Sequence, residues 1–265
     1  MLVNYHTHST FCDGENTLEE MVQAAIEQGF SALGFSGHND APYCTYVMRE
    51  TEKYIAEVNR LKEVYHDKIQ IYLGIEEDIY TLEKRGNFDY IIGSKHYAYK
   101  DNQYYSMDSS EEHLQKCLAL WGNDTLAFAE NYYQEFCNYI KTRKPDIVGH
   151  FDLLTKYDEQ GKGYFLEHQG YHNIAKRYLE EAIQSDCIFE VNTGAMGKGY
   201  RTTPYPHENL LHVLKKHGAK VMLSSDSHSI HTLDYGFDEV KARLRDIGFQ
   251  YTYIIYNGEF CKDYL

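Results

Sequence analysis

The chain has 265 residues, 43% of them hydrophobic and 25% charged, which are values of an ordinary globular protein and exclude a disordered or fibrous class. Twenty-six basic against 40 acidic side chains leave a formal charge of −14, which argues against a basic face gripping nucleic acid and suits a protein that gathers cations. No apolar run approaches the about eighteen residues of a membrane span, and MLVNYHTHST lacks a basic region followed by an apolar stretch. The six cysteines form no C-x-x-C pair, so a reduced, cytoplasmic protein with no membrane contact is expected.

Short β-rich segments alternate with helical patterns, the signature of βαβ units around a parallel sheet or barrel. The first strand is predicted at Leu2 to Tyr5, and Thr17-Leu-Glu-Glu then opens a helix as a capping box. Met21, Val22, Ala25 and Ile26 share one face of that helix, and Gly29 ends it. Strands follow at Ala32 to Ser36, Gln70 to Glu76 and Tyr90 to Ser94, with a helix from Arg49 to Val64 between the first two. The polar, tyrosine-rich stretch 97–124 reads as a long loop plus helix inserted over the barrel mouth, and loops of that length usually serve function. Helical patterns at Glu111 to Leu120, Leu126 to Lys141, Tyr171 to Gln184, Glu208 to His217 and Leu233 to Asp246 accompany strands at Ile147 to His150, Ile188 to Asn192, Lys220 to Ser224 and Tyr251 to Tyr256. With no internal repeat, low-complexity tract or Pro/Gly-rich linker, residues 1–265 are expected to form one domain.

The strand ends carry the chemistry. His6-Thr-His8 follows the first strand, with Asp13 in the loop beyond; His38 follows the second, Glu76 the third, His96 the fourth, His150 the fifth and Asp226-Ser-His228 the seventh. Parallel barrels place their sites at this C-terminal end. On an extended segment residues i and i+2 face the same way, so both imidazoles of H-x-H can reach one ion. A lone histidine more often only hydrogen-bonds locally, and His66, His113, His168, His172, His207, His212, His217 and His231 are assigned that ordinary role. Six histidines and three acids at successive strand-to-helix turns are not explained by structural needs alone. There is no G-x-S-x-G elbow and no Walker-type loop, which leaves serine-hydrolase and nucleotide-kinase chemistry unsupported.

The run Y-H-T-H-S-T-x-x-D-G, with G-H-N-D, G-I-E, G-S-K-H, V-G-H-F-D and S-S-D-S-H, resembles the successive motifs of the polymerase and histidinol phosphatase (PHP) family and spans residues 4 to 228. Within it, V-G-H-F-D-L-L and E-V-N-T-G-A-M-G-K-G-Y-R-T-T-P-Y-P are most similar to the histidinol-phosphate phosphatases. The resemblance implies an α/β fold, a distorted (β/α)7 TIM-like barrel with its metal site at the C-terminal ends of the strands. It implies three divalent ions, Zn, Fe or Mn. His6, His8, Glu76 and Asp226 would hold the first, Glu76, His96 and His150 the second, with Glu76 bridging, and Asp13, His38 and His228 the third. Asp13 stands where many relatives carry histidine. Gly37 precedes His38, and Asn39 follows it, where relatives carry an Asp directly before the histidine, so the support of the third ion is weakened and weaker binding of that ion is expected.

The activity so implied is hydrolysis of a small phosphate monoester, L-histidinol phosphate, by a hydroxide bridging two ions whose pKa coordination brings to about 7. Glu76, Asp226 and His228 are the expected catalytic groups; Asp226 or His228 could supply the leaving-group proton, but each is also an expected metal ligand and the acid is left unassigned. Arg201 is the first choice to meet the phosphate, from a loop where Gly197 and Gly199 let the backbone approach a ligand; Lys95 and Lys198 follow. Asn192 and Tyr97 are candidates for orienting substrate, and Asp40 or Asp152 for its ammonium. The alternatives are a PHP phosphoesterase acting on nucleotides or nucleic acid 3′ ends, and a metal-binding module without catalysis.

Overall fold

A computed structural model describes residues 1–160 and 163–265. In chain order the elements are β1 (Val3–Asn4), α1 (Leu18–Glu27), β2 (Ala32–Phe35), α2 (Thr51–Val64), β3 (Gln70–Asp78) and β4 (Tyr90–Ser94). Next come β5 (Tyr97–Lys100), β6 (Gln103–Ser106), α3 (Glu111–Leu120), α4 (Thr125–Arg143), β7 (Ile147–Val148), α5 (Gln169–Ala182) and β8 (Ile188–Asn192). The chain continues through α6 (Gly194–Gly197), α7 (Glu208–Lys216), β9 (Lys220–Ser224), α8 (Phe237–Ile247), β10 (Tyr251–Tyr256) and β11 (Glu259–Tyr264).

Seven strands form one parallel sheet in the order β1-β2-β3-β4-β7-β8-β9. The two ends meet just beyond β1 and β9, where Thr7 bridges Ser227 through His8 N–H to Ser227 O (2.8 Å) and Ser227 N–H to His6 O (3.1 Å). The result is a nearly closed barrel, as the (β/α)7 expectation required. The capping box of α1 is present: Thr17 Oγ1 accepts Glu20 N–H, and Glu20 Oε2 accepts Thr17 N–H at 2.8 Å.

Alternation along the strands sorts two environments. Outward Ile71, Leu73 and Ile75 pack under α1 and α2, whereas Phe189, Val191, Val221 and Leu223 face the larger core around α4, α5 and α7. Inward Tyr72, Tyr90, Ile92, Ile147, Ile188 and Met222 fill the lower barrel with Tyr5. Tyr90 reaches across the axis to donate to Tyr5 O at 2.5 Å. Gly34 and Gly74 make this possible, because a Cβ on either would collide with the Tyr90 ring or hydroxyl.

The strand expected at Tyr251–Tyr256 is present, and it lies outside the seven-stranded barrel: it pairs antiparallel with β11, which the sequence reading missed, across an Asn257-Gly258 turn with φ of 50° and 80°. This hairpin closes the barrel bottom, burying Ile254 and Ile255 and receiving Tyr5 OH at Ile255 O (2.6 Å). The insertion between β4 and β7 begins as an ordered hairpin, β5-β6, before α3, rather than as a long loop.

Candidate metal centre

All nine side chains singled out at the strand ends converge on the upper mouth of the barrel. Glu76 ends the inward series Tyr72, Gly74, Glu76 of β3 and lies at the centre, almost fully buried. Its Oε1 is 3.0 Å from His150 Nε2 and 3.3 Å from His96 Nε2. Its Oε2 is 2.8 Å from His38 Nδ1, 3.4 Å from His6 Nε2 and 3.6 Å from His8 Nε2. Asp226 Oδ1 is 3.1 Å from His8 Nε2 and 3.5 Å from His6 Nε2. Asp226 has a left-handed φ of 49°, a conformation Asp adopts more readily than most residues, and this turns the chain sharply after β9.

Asp13 is brought in by a turn that folds back on the first strand end: Cys12 N–H and Gly14 N–H both donate to Ser9 O, at 2.9 and 3.0 Å. A Cβ on Gly14 would collide with the His8 and Ser9 backbone, so this turn can approach so closely only with glycine. Asp13 then lies 3.6 Å from both His8 Nδ1 and His38 Nε2 and 3.4 Å from His228 Nε2. His8, Asp13, His38 and His228 form one group able to hold a cation; His6, Glu76 and His150, His6, His8 and Asp226, and His38, Glu76 and His96 form three more, sharing members.

The donor set fits divalent cations. His6 Nε2, His8 Nε2 and Glu76 Oε2 face one another, buried, with no hydrogen-bond partner. Left so, each would cost about 1–3 kcal/mol, a penalty that coordination removes. Burial disfavours ionised Glu76, yet His6, His96 and His38 and the bond from His150 hold its carboxyl well below the usual range. Burial with the neighbouring His228 and His38 pushes His8 down to about 3, leaving a free lone pair. His96 rises to about 10 despite burial, through Glu76 and Asp78, so cation uptake there displaces a proton.

Supporting residues are as well defined as the cluster. Glu190, inward on β8, receives His6 Nδ1 at 2.5 Å, His150 N–H at 2.8 Å, Asn192 Nδ2 at 2.9 Å and the Ser224 hydroxyl. It thereby fixes the tautomer that points His6 Nε2 at Glu76. Asp78 accepts His96 N–H at 3.1 Å and Tyr43 OH at 2.9 Å. Beside His38, Gly37 offers no side chain, and Asn39 instead ties the segment to β3 by accepting Asp78 N–H at 3.1 Å.

The cluster floors a cavity of about 220 Å³ whose wall includes Tyr46, Asp108, Leu153, Lys156, Lys198 and Tyr205. Of the expected phosphate cations, only Lys198 is on this wall, 3.3 Å from His228 Nδ1. Arg201 is corrected: its guanidinium is buried behind the Tyr205 ring, 4.6 Å from the centroid, and is engaged by Thr155, Thr203 and Glu159. Lys95 is corrected too, because alternation on β4 sends it outward to Glu135 (2.6 Å) and Tyr80 (2.8 Å). Asn192 serves Glu190 and Gly194 N–H, and Tyr97 stands behind Tyr46, donating to its hydroxyl at 3.0 Å. Asp40 pairs with Arg49 at the surface, and buried Asp152 accepts His207 N–H at 2.8 Å, so neither lines the cavity. The sequence reading missed Glu190, Lys156 and Asp108; only Glu190 had a signal, a carboxylate inside the apolar strand Ile188–Asn192.

A parallel barrel with a cluster of imidazoles and carboxylates at its mouth defines a class of metal-dependent proteins. The PHP domain family model matches residues 4–194, and the chain belongs to that family. A Schizosaccharomyces pombe protein named "Probable histidinol-phosphatase" is 29% identical over 94% of this chain and 87% of its own. A Bacillus subtilis histidinol-phosphatase is 24% identical over 88% and 96%. A crystal structure of histidinol phosphate phosphatase from Lactococcus lactis, complexed with zinc, L-histidinol and phosphate, superimposes with a TM-score of 0.74 at 20% identity, covering 98% of this chain and 99% of that one, and so shares the fold.

Proposed function

We propose that the protein is a metal-dependent phosphomonoesterase that hydrolyses L-histidinol phosphate to L-histidinol and phosphate, as the names of its relatives suggest. The observation that carries this is Glu76 ringed by five imidazoles beneath a small cavity with two lysines on its wall. Three divalent ions, Zn, Fe or Mn, would be held by His6, His8, Glu76 and Asp226, by Glu76, His96 and His150, and by Asp13, His38 and His228. Such cations neutralise phosphoryl charge and bring the pKa of water to about 7.

The remaining work falls to the chain. Lys156 and Lys198 take the place first given to Arg201 and meet the phosphate, which carries about two negative charges at neutral pH. Tyr46, Leu153 and Tyr205 offer flat or apolar surface to an imidazole. Asp226 and His228, the two candidates for the leaving-group proton, line the cavity and are joined through His228 Nδ1 and Asp226 O at 2.9 Å; both are also ligands of the proposed ions, and against the effect of burial His6, His8 and Lys198 hold the Asp226 carboxyl well below its usual range. Residues 1–265 form one barrel domain with an insertion between β4 and β7, and six free cysteines suit a reducing cytoplasm.

Steady-state turnover on histidinol phosphate against nucleoside monophosphates tests the reading, with kcat/KM expected to favour the former by roughly 100-fold, about 2.7 kcal/mol of differential binding. Equal, slow rates would remove the assigned substrate. Chelation is expected to abolish activity and lower Tm by roughly 5–15 °C, both restored by Mn or Zn. Metal binding without hydrolysis of any phosphoester would leave a non-catalytic module.

A further inference from the structure

One carboxylate in the cavity wall is not part of the cluster. Asp108 lies in the loop between β6 and α3, inside the insertion, whereas Asp13 and Asp226, the other two wall carboxylates, belong to the metal centre. Its main chain is pinned from across the barrel: Asp108 O accepts Lys156 Nζ and Tyr157 OH, both at 2.6 Å. Its side chain is lightly held, with Ser106 Oγ at 3.3 Å from Oδ1 and Lys156 Nζ at 3.7 Å from Oδ2; it is 17% exposed and is one of the residues lining the cavity. The fold thus fixes where this carboxylate sits and leaves its oxygens available.

An anion there is costly for a pocket built only for phosphate, since it repels the ligand that the cations and the lysines attract. A phosphomonoester that also carries an ammonium reverses the sign of that effect. L-Histidinol phosphate has its amine on the carbon next to the phosphorylated one, so a phosphate seated at the cluster and Lys156 brings the ammonium to the adjoining wall.

We infer that Asp108 is the ammonium-reading residue of this site, and that it selects phosphomonoesters with a protonated amine beside the phosphorylated carbon. The inference rests on the phosphomonoesterase reading given above. The des-amino analogue, 3-(imidazol-4-yl)propyl phosphate, differs from the assigned substrate only by that amine. A charged hydrogen bond contributes about 1.5–3 kcal/mol, so the wild-type protein is expected to prefer the amine-bearing ester by roughly 10- to 100-fold in kcat/KM.

Asp108→Asn keeps the side-chain shape and the backbone carbonyl held by Lys156 and Tyr157, and it is expected to bring that ratio close to one, mainly through KM, while Asp108→Glu retains part of it. A wild-type protein with no preference for the amine, or an Asp108→Asn ratio equal to that of the wild type, overturns the inference. The substrate assignment is separable from it. If histidinol phosphate is turned over no faster than other esters, but 2-aminoethyl phosphate still exceeds ethyl phosphate in an Asp108-dependent way, only the assignment falls.

Discussion

The upper and lower halves of the barrel interior are built by the same strands and have opposite chemistry. Along β3 the inward side chains pass from Tyr72 through Gly74 to Glu76, and along β8 from Ile188 to Glu190 and Asn192. Below, Tyr5 meets Tyr72 and Tyr90 edge to face at centroid distances of 5.8 and 6.2 Å. Above, imidazoles and carboxylates crowd with unpartnered atoms. An aromatic floor keeps water from screening the charges above it, so electrostatic interactions at the mouth are strong and an unpaired group there is expensive. The lower half supplies stability and the upper half spends some of it on reactivity.

Substitutions separate the two halves. Glu76→Ala removes the group shared by five imidazoles and is expected to lower kcat/KM by more than about 1000-fold, with loss of bound metal seen by elemental analysis. A fully metallated, active Glu76→Ala protein would contradict its bridging role. Glu190→Gln loosens the orientation of His6 without removing a ligand, so a loss of roughly 10- to 100-fold is expected, relieved in part by raising metal concentration. Gly74→Ala acts only on the floor: it presses on Tyr90 and is expected to cost about 1–3 kcal/mol in denaturant unfolding. If it reduced activity per folded molecule as strongly as Glu190→Gln, the two halves would be coupled more tightly than this division allows.

Much of the upper half was legible because the ionisable residues sit at the ends of apolar strands, where a period of two and a run of turns declare them. The same period, applied to β4, would have sent Lys95 outward once His96 was taken as inward, and adjacency in sequence was the wrong guide. Glu190 was readable on similar grounds, and Asn257-Gly258 was a hairpin signal that pointed to β11. Arg201 was not readable in this way: its position behind Tyr205 depends on how the loop after β8 packs against Thr155 and Glu159. Asp108 and Lys156 are far apart in the chain and meet only because the insertion folds back over the mouth, a contact that neither local propensity nor periodicity encodes.

The closing hairpin has a consequence for how the molecule is made. Its residues leave the ribosome after all seven barrel strands, so a nascent chain with every strand already in place still exposes Tyr5, Tyr72 and Tyr90 at an open base until Ile254 and Ile255 emerge. A chain truncated before Tyr251 would therefore keep a sticky aromatic surface at the barrel base for chaperones or proteases to meet.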